Sequence, residues 1–443
     1  MNLDFITKKL KDCDYYRINY EDTTLNFINA RNSEAKQIKQ EEHKGVSLFL
    51  VNKNKASFVS TNDFSKKALE ALIEKAKILS KSGEKIDYLD LIGSRKVKTK
   101  ISIGKESNLD FETKIKEVLK NSNNSNCNVN DLVYKETIKH KRIITDTKDI
   151  SQNHNYFILA NTVTVSEKNT IRENYQRYGK QTNIDDQIQS LNLFVEKTKD
   201  GAIEFLKYKS MLKGTYDVII DPELSHLLAH EAIGHACEAD AIYTKESNLK
   251  LGQKLSNQKL DVYDDPDVKE DFGSIVYDDE GTKAKKRFLI KSGVVNGFIN
   301  DLKHSKKLGF SPNGGARAEN YNQIPIPRMT NTGIGPGKIK KQELIEDLKK
   351  GIILCGGHGG QVDPTNGTFQ FGVRKAILVN KGKEENYVNL SFSGNITTDL
   401  FNIQGISKEV EFSPKCVGMC GKGGQQVPVS GFGPHIKFKG VRF

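Results

Sequence analysis

A chain of 443 residues is long enough to bury more than one apolar core, which favours two or three domains and excludes a small scaffold held together by staples. Its 28% charged residues and mean hydropathy of -0.55 fit a water-soluble exterior, and no segment approaches the roughly 18 uninterrupted apolar residues of a membrane span. The net charge of +12 invites a nucleic-acid reading. However, the lysines are scattered among acidic and neutral residues with little aromatic interleaving, so a solvated basic surface is expected and a nucleic-acid partner is not.

The opening MNLDFITKKLKDCD holds no apolar stretch followed by a small-residue cleavage site. Six cysteines, at 13, 127, 237, 355, 416 and 420, are too sparse for a disulfide framework. They read as thiols in a reducing compartment, which gives a cytoplasmic location as the expectation.

In chain order, DYYRINY and GVSLFLV read as strands rich in aromatic and β-branched residues. A helix follows, capped by Asn62 or Asp63, with Leu69, Leu72, Ile73, Ala76 and Leu79 at helical spacing and Gly83 as its stop. Polar segments SGEKID and NSNNSNCNVND then interrupt a region whose NYFILANTVTV and KRIITDT are strand-like, before a mainly helical DQIQSLNLFVEKTKDGAIEFLKYKS. From Gly214 the texture changes to YDVIID as a strand, a helix, and then short strands divided by glycine turns. The expected fold class is α+β: residues 1–90 as an N-terminal α+β domain, 91–212 as a middle α+β region, and 213–443 as a β-rich, barrel-like or sandwich-like domain carrying a metal-binding helix. Glycine in GGHGG, GPGK and GKGG serves any tight turn, and GIGPGK lacks the pattern of a phosphate loop.

Chemistry concentrates in DPELSHLLAHEAIGHACEAD, residues 221–240. Asp221 is a natural N-cap and Pro222 suits the first helical position. Within the segment stand His226, His230, Glu231, His235, Glu238 and Asp240. The familiar zinc helix places two histidines four apart with a glutamate beside the first, whereas His230 and His235 are five apart. On a regular helix that spacing separates them by roughly 140°. A local π-type turn brings residues five apart nearly into register, and Gly234 eases the distortion. Alternatively the helix ends near Gly234 and His235 returns from the next turn. His226 and His230, at i and i+4, form a rival pair on undistorted geometry. A catalytic zinc site needs three protein ligands and an open position; Glu238, Asp240, Cys237, Cys416 and Cys420 are all candidates for the third.

HEAIGHACEAD resembles the HExxxH signature helix of the TldD half of the TldD/PmbA family. VYDDEGTKAKKRFLIKSGVVNGFINDL, YNQIPIPRMTNT, GGQVDPTNGTFQFGVRKAILVNKGK and MCGKGGQQVPV resemble that family's C-terminal domain in the same order, and SFVSTNDFSKKALEALIEKA is similar to its first domain. The resemblance spans nearly the whole chain and is weakest between about 95 and 185. It implies a zinc-dependent peptidase acting on short or unfolded peptides. His230, His235 and Cys420 would hold Zn2+, and Glu231 would be the base that takes a proton from water and passes it to the leaving amine. It also implies a dimer, formed with a PmbA/TldE-like subunit or with a second copy of the chain. The PmbA-like half lacks the metal-binding motif, which assigns this chain to the catalytic half. The contrasting expectation is a noncatalytic scaffolding subunit with a structural metal or none. Cys355 and His358 in CGGHGG resemble a family glycine turn, Arg328 and Asn331 either contact substrate backbone or support a turn, and His304 and His435 read as structural.

Overall fold

The computed structural model describes residues 3–380 and 383–443. The first sheet is built from β1 (Tyr15–Arg31), β2 (Glu34–Asn52), β3 (Lys55–Thr61), β4 (Val97–Ile103), β5 (Val129–Ile144), β6 (Lys148–Glu167) and β7 (Thr170–Lys180). Their order is β3-β2-β1-β5-β6-β4, with β7 also on β6. All pairings are antiparallel except that of β4 with β6.

Ile18 and Tyr20 of β1 and Val46, Leu48 and Leu50 of β2 pack beneath the helix Lys66–Ser80. That helix is capped by Ser65 rather than by Asn62 or Asp63: its hydroxyl accepts from the Ala68 N–H at 3.2 Å, while Asp63 accepts from the Ser65 N–H at 2.8 Å. Leu69, Leu72, Ile73 and Ala76 face the sheet, but Leu79 turns to solvent at 41% exposure, because the inward position of the last turn is taken by Ser80, four residues after Ala76. Gly83 lies past the helix, where any Cβ would sit 1.8 Å from the Ala56 carbonyl. Further along the same sheet, Ile28, Leu132, Tyr134 and Leu159 are covered by the helices Phe111–Asn121 and Leu191–Phe205. The polar interior here includes one buried ion pair, Lys114 to Glu136 at 2.9 Å.

The second sheet contains β8 (Thr215–Ile220), β9 (Val262–Asp264), β10 (Arg287–Lys291) and β11 (Val294–Val295). After a short ribbon of β12 (Ala316–Arg317) and β13 (Ile326–Pro327) it continues with β14 (Asn331–Ile334), β15 (Lys350–Asp363), β16 (Thr368–Asn380), β17 (Lys383–Tyr387), β18 (Leu390–Asn395), β19 (Ile403–Lys422) and β20 (Gln425–Arg442). Its order is β11-β10-β9-β14-β20-β8-β15-β16-β17, with β18 on β16 and β19 on β20. This is the β-rich region anticipated after residue 214. Among the described residues its strands form an open path and do not close into a barrel.

The two sheets meet where Tyr156 of β6 packs on Phe272, Val417 and Met419. Side chains alternate along a strand: Val417 and Met419 face the first sheet, so Cys416 and Cys420 of β19 point the other way, and Cys420 joins the main core of the second sheet. Among the described residues no helix is long and apolar enough to cross a membrane.

Candidate metal centre

The segment after β8 starts as the sequence suggests. Asp221 accepts the Leu224 N–H at 3.0 Å with one carboxylate oxygen and the Gly356 N–H of β15 at 2.6 Å with the other, fixing the start of the helix Pro222–Leu227 to the sheet. The backbone then widens: Leu228–Gly234 is π-helical, His235–Cys237 is a single 3-10 turn, and Glu238 is extended. The His235 N–H donates to the His230 carbonyl, which is the i to i+5 bond that brings these two positions onto one side. Gly234 is demanded by packing as well, because a Cβ there would lie 2.0 Å from Sδ of the buried Met329.

As a result the His230 and His235 rings stand 5.2 Å apart between centroids and at 83° to each other. Cys420 arrives from β19 with Sγ 3.4 Å from Nε2 of His235. One ligand atom from each of His230, His235 and Cys420 falls within 4.8 Å of the others. His230 and Cys420 are buried, and His235 is 16% exposed through its side chain. Nδ1 of His230 is buried with no hydrogen-bond partner among the described residues. Two imidazole nitrogens with one sulfur, brought this close together, are a donor set of the kind that suits zinc.

The electrostatics agree. Burial by itself would push the Cys420 thiol up, but the two neighbouring imidazoles outweigh it and hold the group down to about 4, so it is a thiolate. Burial opposes the charged forms of His230 and His235, yet both are raised, His230 chiefly by Cys420 and His235 chiefly by Glu238. Glu238, 1% exposed, is lowered to about 2 despite burial because His235 and Lys422 face it. Its Oε2 lies 3.0 Å from Nδ1 of His235, so Nε2 is the nitrogen left facing Cys420. Glu231 is half-buried on the same side, 3.8 Å from Nε2 of His235, and its carboxylate has no hydrogen bond among the described residues.

Other candidates separate from this group. The His226 ring is 5.9 Å from that of His230, but Nδ1 lies 3.2 Å from the Thr332 carbonyl. Burial pushes His226 down to about 3, so it is neutral and its Nδ1–H donates to that carbonyl. Cys237 is buried and its thiol is pushed up to about 12 by the loss of solvent; Cys416, also buried, is raised well above the ordinary range for the same reason. Neither belongs to the three-donor group. Asp240 binds Lys422, and Cys355 and His358 lie on β15 outside the group. Arg328 is fully buried and donates to the carbonyls of Cys420 and, at 3.2 Å, Gln425, while buried Asn331 bonds Gly273, Ser430, Asp265 and Ser274. Both therefore support turns and strands. His304 pairs with Asp301 at 2.8 Å, and the His435 N–H bonds Ser407. Lys422 escaped notice in the sequence, although it stands two residues beyond Cys420 and so shares its side of the strand.

Residues 213–443 match the profile described as the PmbA/TldA metallopeptidase C-terminal domain, and residues 16–80 match that of domain 1 of the same metallopeptidase. A metalloprotease of Methanocaldococcus jannaschii is 33% identical over 455 residues, covering 99% of this chain and 98% of that one. The chain belongs to the TldD/PmbA family. A zinc metalloprotease TldD homolog of Saccharolobus solfataricus is 31% identical over 350 residues, with 77% and 78% of the two chains covered. The crystal structure of TldE from Thermococcus kodakarensis superposes with a TM-score of 0.74 over 99% of this chain and 98% of that one; at 16% identity this likeness concerns the TldD/PmbA fold.

Proposed function

We propose that this member of the TldD/PmbA family is a zinc peptidase in which His230, His235 and Cys420 hold the metal and Glu231 is the general base. The observation that carries the proposal is the convergence of two imidazoles and a thiolate from positions 185 residues apart in sequence, made possible by a π-helical turn. Three protein donors fit a catalytic rather than a closed structural site. A zinc ion bound there would supply Lewis acidity toward the scissile carbonyl and toward water.

Glu231 does the proton work. Its carboxylate is half-buried beside the donors and uncommitted to any hydrogen bond among the described residues. It is therefore placed to take a proton from water as the new C–O bond forms and to deliver that proton to the departing amine. His230 and His235 stay as donors, and Glu238 keeps His235 in the tautomer whose Nε2 is free.

Beyond Leu354 the edge of β15 opposite β16 has no strand partner among the described residues. This glycine-rich stretch passes close to Glu231, since a Cβ on Gly360 would lie 3.4 Å from Cγ of Glu231. An extended short peptide pairing with that edge would present its backbone to the base, with modest side-chain selectivity. The likeness to TldE supports pairing with a TldE-like subunit or a second copy, and six free thiols support a reducing, cytoplasmic setting.

The test is Glu231→Gln. Zinc content should be unchanged while peptide cleavage, assayed with the chain alone and with a TldE-like partner, falls by about 10²–10⁴-fold, the range of a lost general base. Undiminished cleavage, or a purified parent chain that takes up no zinc, would overturn the proposal.

A further inference from the structure

Two donors of the candidate centre lie on separate elements: His235 in the 3-10 turn and Cys420 on β19. Something must hold the strand against the turn, and a closed ring of contacts does so. Nδ1 of His235 lies 3.0 Å from Oε2 of Glu238, the same Oε2 lies 3.0 Å from Nζ of Lys422, Lys422 is two residues from Cys420, and Sγ of Cys420 lies 3.4 Å from Nε2 of His235. Lys422 also donates to Oδ1 of Asp240 at 2.6 Å and to the Pro327 carbonyl at 3.2 Å. An ammonium has three protons, and here three acceptors face it, so its position is over-determined. Glu238 is anchored independently by its backbone, which bridges to Ile299.

We propose that Lys422 is the positioning residue of the donor set, locking Glu238 against His235 and tying the strand that carries Cys420 to the turn that carries His235. This rests on reading His230, His235 and Cys420 as metal ligands. The geometry has two consequences. The Glu238 bond fixes the plane and tautomer of His235, as carboxylates behind metal-bound histidines generally do. The Lys422 bond fixes the distance between sulfur and imidazole before any ion arrives, so binding costs less ordering of the site. Lys422→Met keeps the apolar stem but removes the ion pair with Glu238 and both hydrogen bonds, to Asp240 and Pro327, whereas Lys422→Arg retains the charge and several of the donors.

Cobalt(II) titration of the metal-free full chain separates positioning from mere structure, because the thiolate-to-cobalt charge-transfer band reports whether Cys420 binds. Lys422→Met should weaken cobalt affinity by about 10–100-fold, the usual effect of removing such a partner, and should diminish the thiolate band while the far-UV circular dichroism is unchanged. Lys422→Arg should restore most of the affinity and the band. Should Lys422→Met not fold, Asp240→Asn, which loosens the same ammonium from a partly exposed position, should give a smaller loss in the same direction. Parent-like affinity and spectrum in the variant that folds would overturn the proposal. A parent chain that binds no cobalt would instead bring down the metal-site reading, and the role of Lys422 with it.

Discussion

Replacing Arg328 with methionine tests how the sulfur of Cys420 is brought to the histidines. Arg328 has no exposure, and its guanidinium donates to the carbonyls of Cys420 and Gln425, one on each strand of the β19–β20 hairpin. Methionine fills much of the same length without a donor. Each orphaned buried carbonyl costs about 1–3 kcal/mol, giving about 2–6 for the pair. Part of this is offset, because burial and then repulsion from Arg328 hold the neighbouring Arg317 down to about 10, and that repulsion is relieved. Against that, buried Glu238 loses a favourable charge. The expected net loss is about 2–4 kcal/mol, read by equilibrium urea unfolding of the metal-free protein. Arg328→Lys should recover only a fraction, since one ammonium on a thinner stem does not span both carbonyls as a planar fork does. A loss below about 1 kcal/mol for Arg328→Met, or full recovery by Arg328→Lys, would refute the role assigned to the guanidinium.

Cys420→Ser should abolish tight zinc binding measured by chelator competition, while Cys416→Ser, altering a buried neutral thiol outside the donor group, should leave it within about twofold. Lys114→Met should destabilise the first sheet by about 3–5 kcal/mol by stranding Glu136, and Lys114→Met with Glu136→Leu should lose much less; equal losses in chemical denaturation would contradict a paired buried charge. His154 is pushed down to about 3 by burial and then by Lys141, against 6.5 when solvated. The unfolded chain therefore holds more protons between those values, and stability falls as pH drops from 6.5 toward 3. The loss is about 2 kcal/mol at pH 5. His154→Gln should flatten that part of the stability profile, and an unchanged slope would refute the assignment.

Sequence reveals strands wherever one face is apolar, as in DYYRINY, GVSLFLV and NYFILANTVTV, because burial imposes the period of two. It conceals residues 34–44, which are solvated on both faces although they pair with residues 22–31. There the ladder is held by main-chain bonds to the neighbouring strand, and side-chain type carries no signal. The open path of the second sheet is concealed for a related reason: whether strands close into a barrel depends on which edges meet, and glycine turns say only that strands end.

At the candidate centre, spacing alone leaves two arrangements for His230 and His235, and the structure uses parts of both: a π-turn through Gly234, then a 3-10 turn that ends the helix at Cys237. The i, i+4 alternative of His226 and His230 has better regular geometry, but the backbone between them leaves the α-helix at Leu228, and the surroundings of His226 are already occupied. Its Nδ1 bonds Thr332, and Gly431 approaches so closely that a Cβ there would lie 1.9 Å away. The choice between histidines is thus made by β14 and β20, whose contact with the helix no local pattern encodes. The same holds for Lys422, Glu238 and Arg328. A candidate donor is recognisable by its chemistry at one position, but the contacts these residues make with the candidate donors are defined only by the register of β19 against a turn 185 residues earlier. Sequence spacing consequently names groups able to hold an ion well before it can name those that set how tightly they hold it.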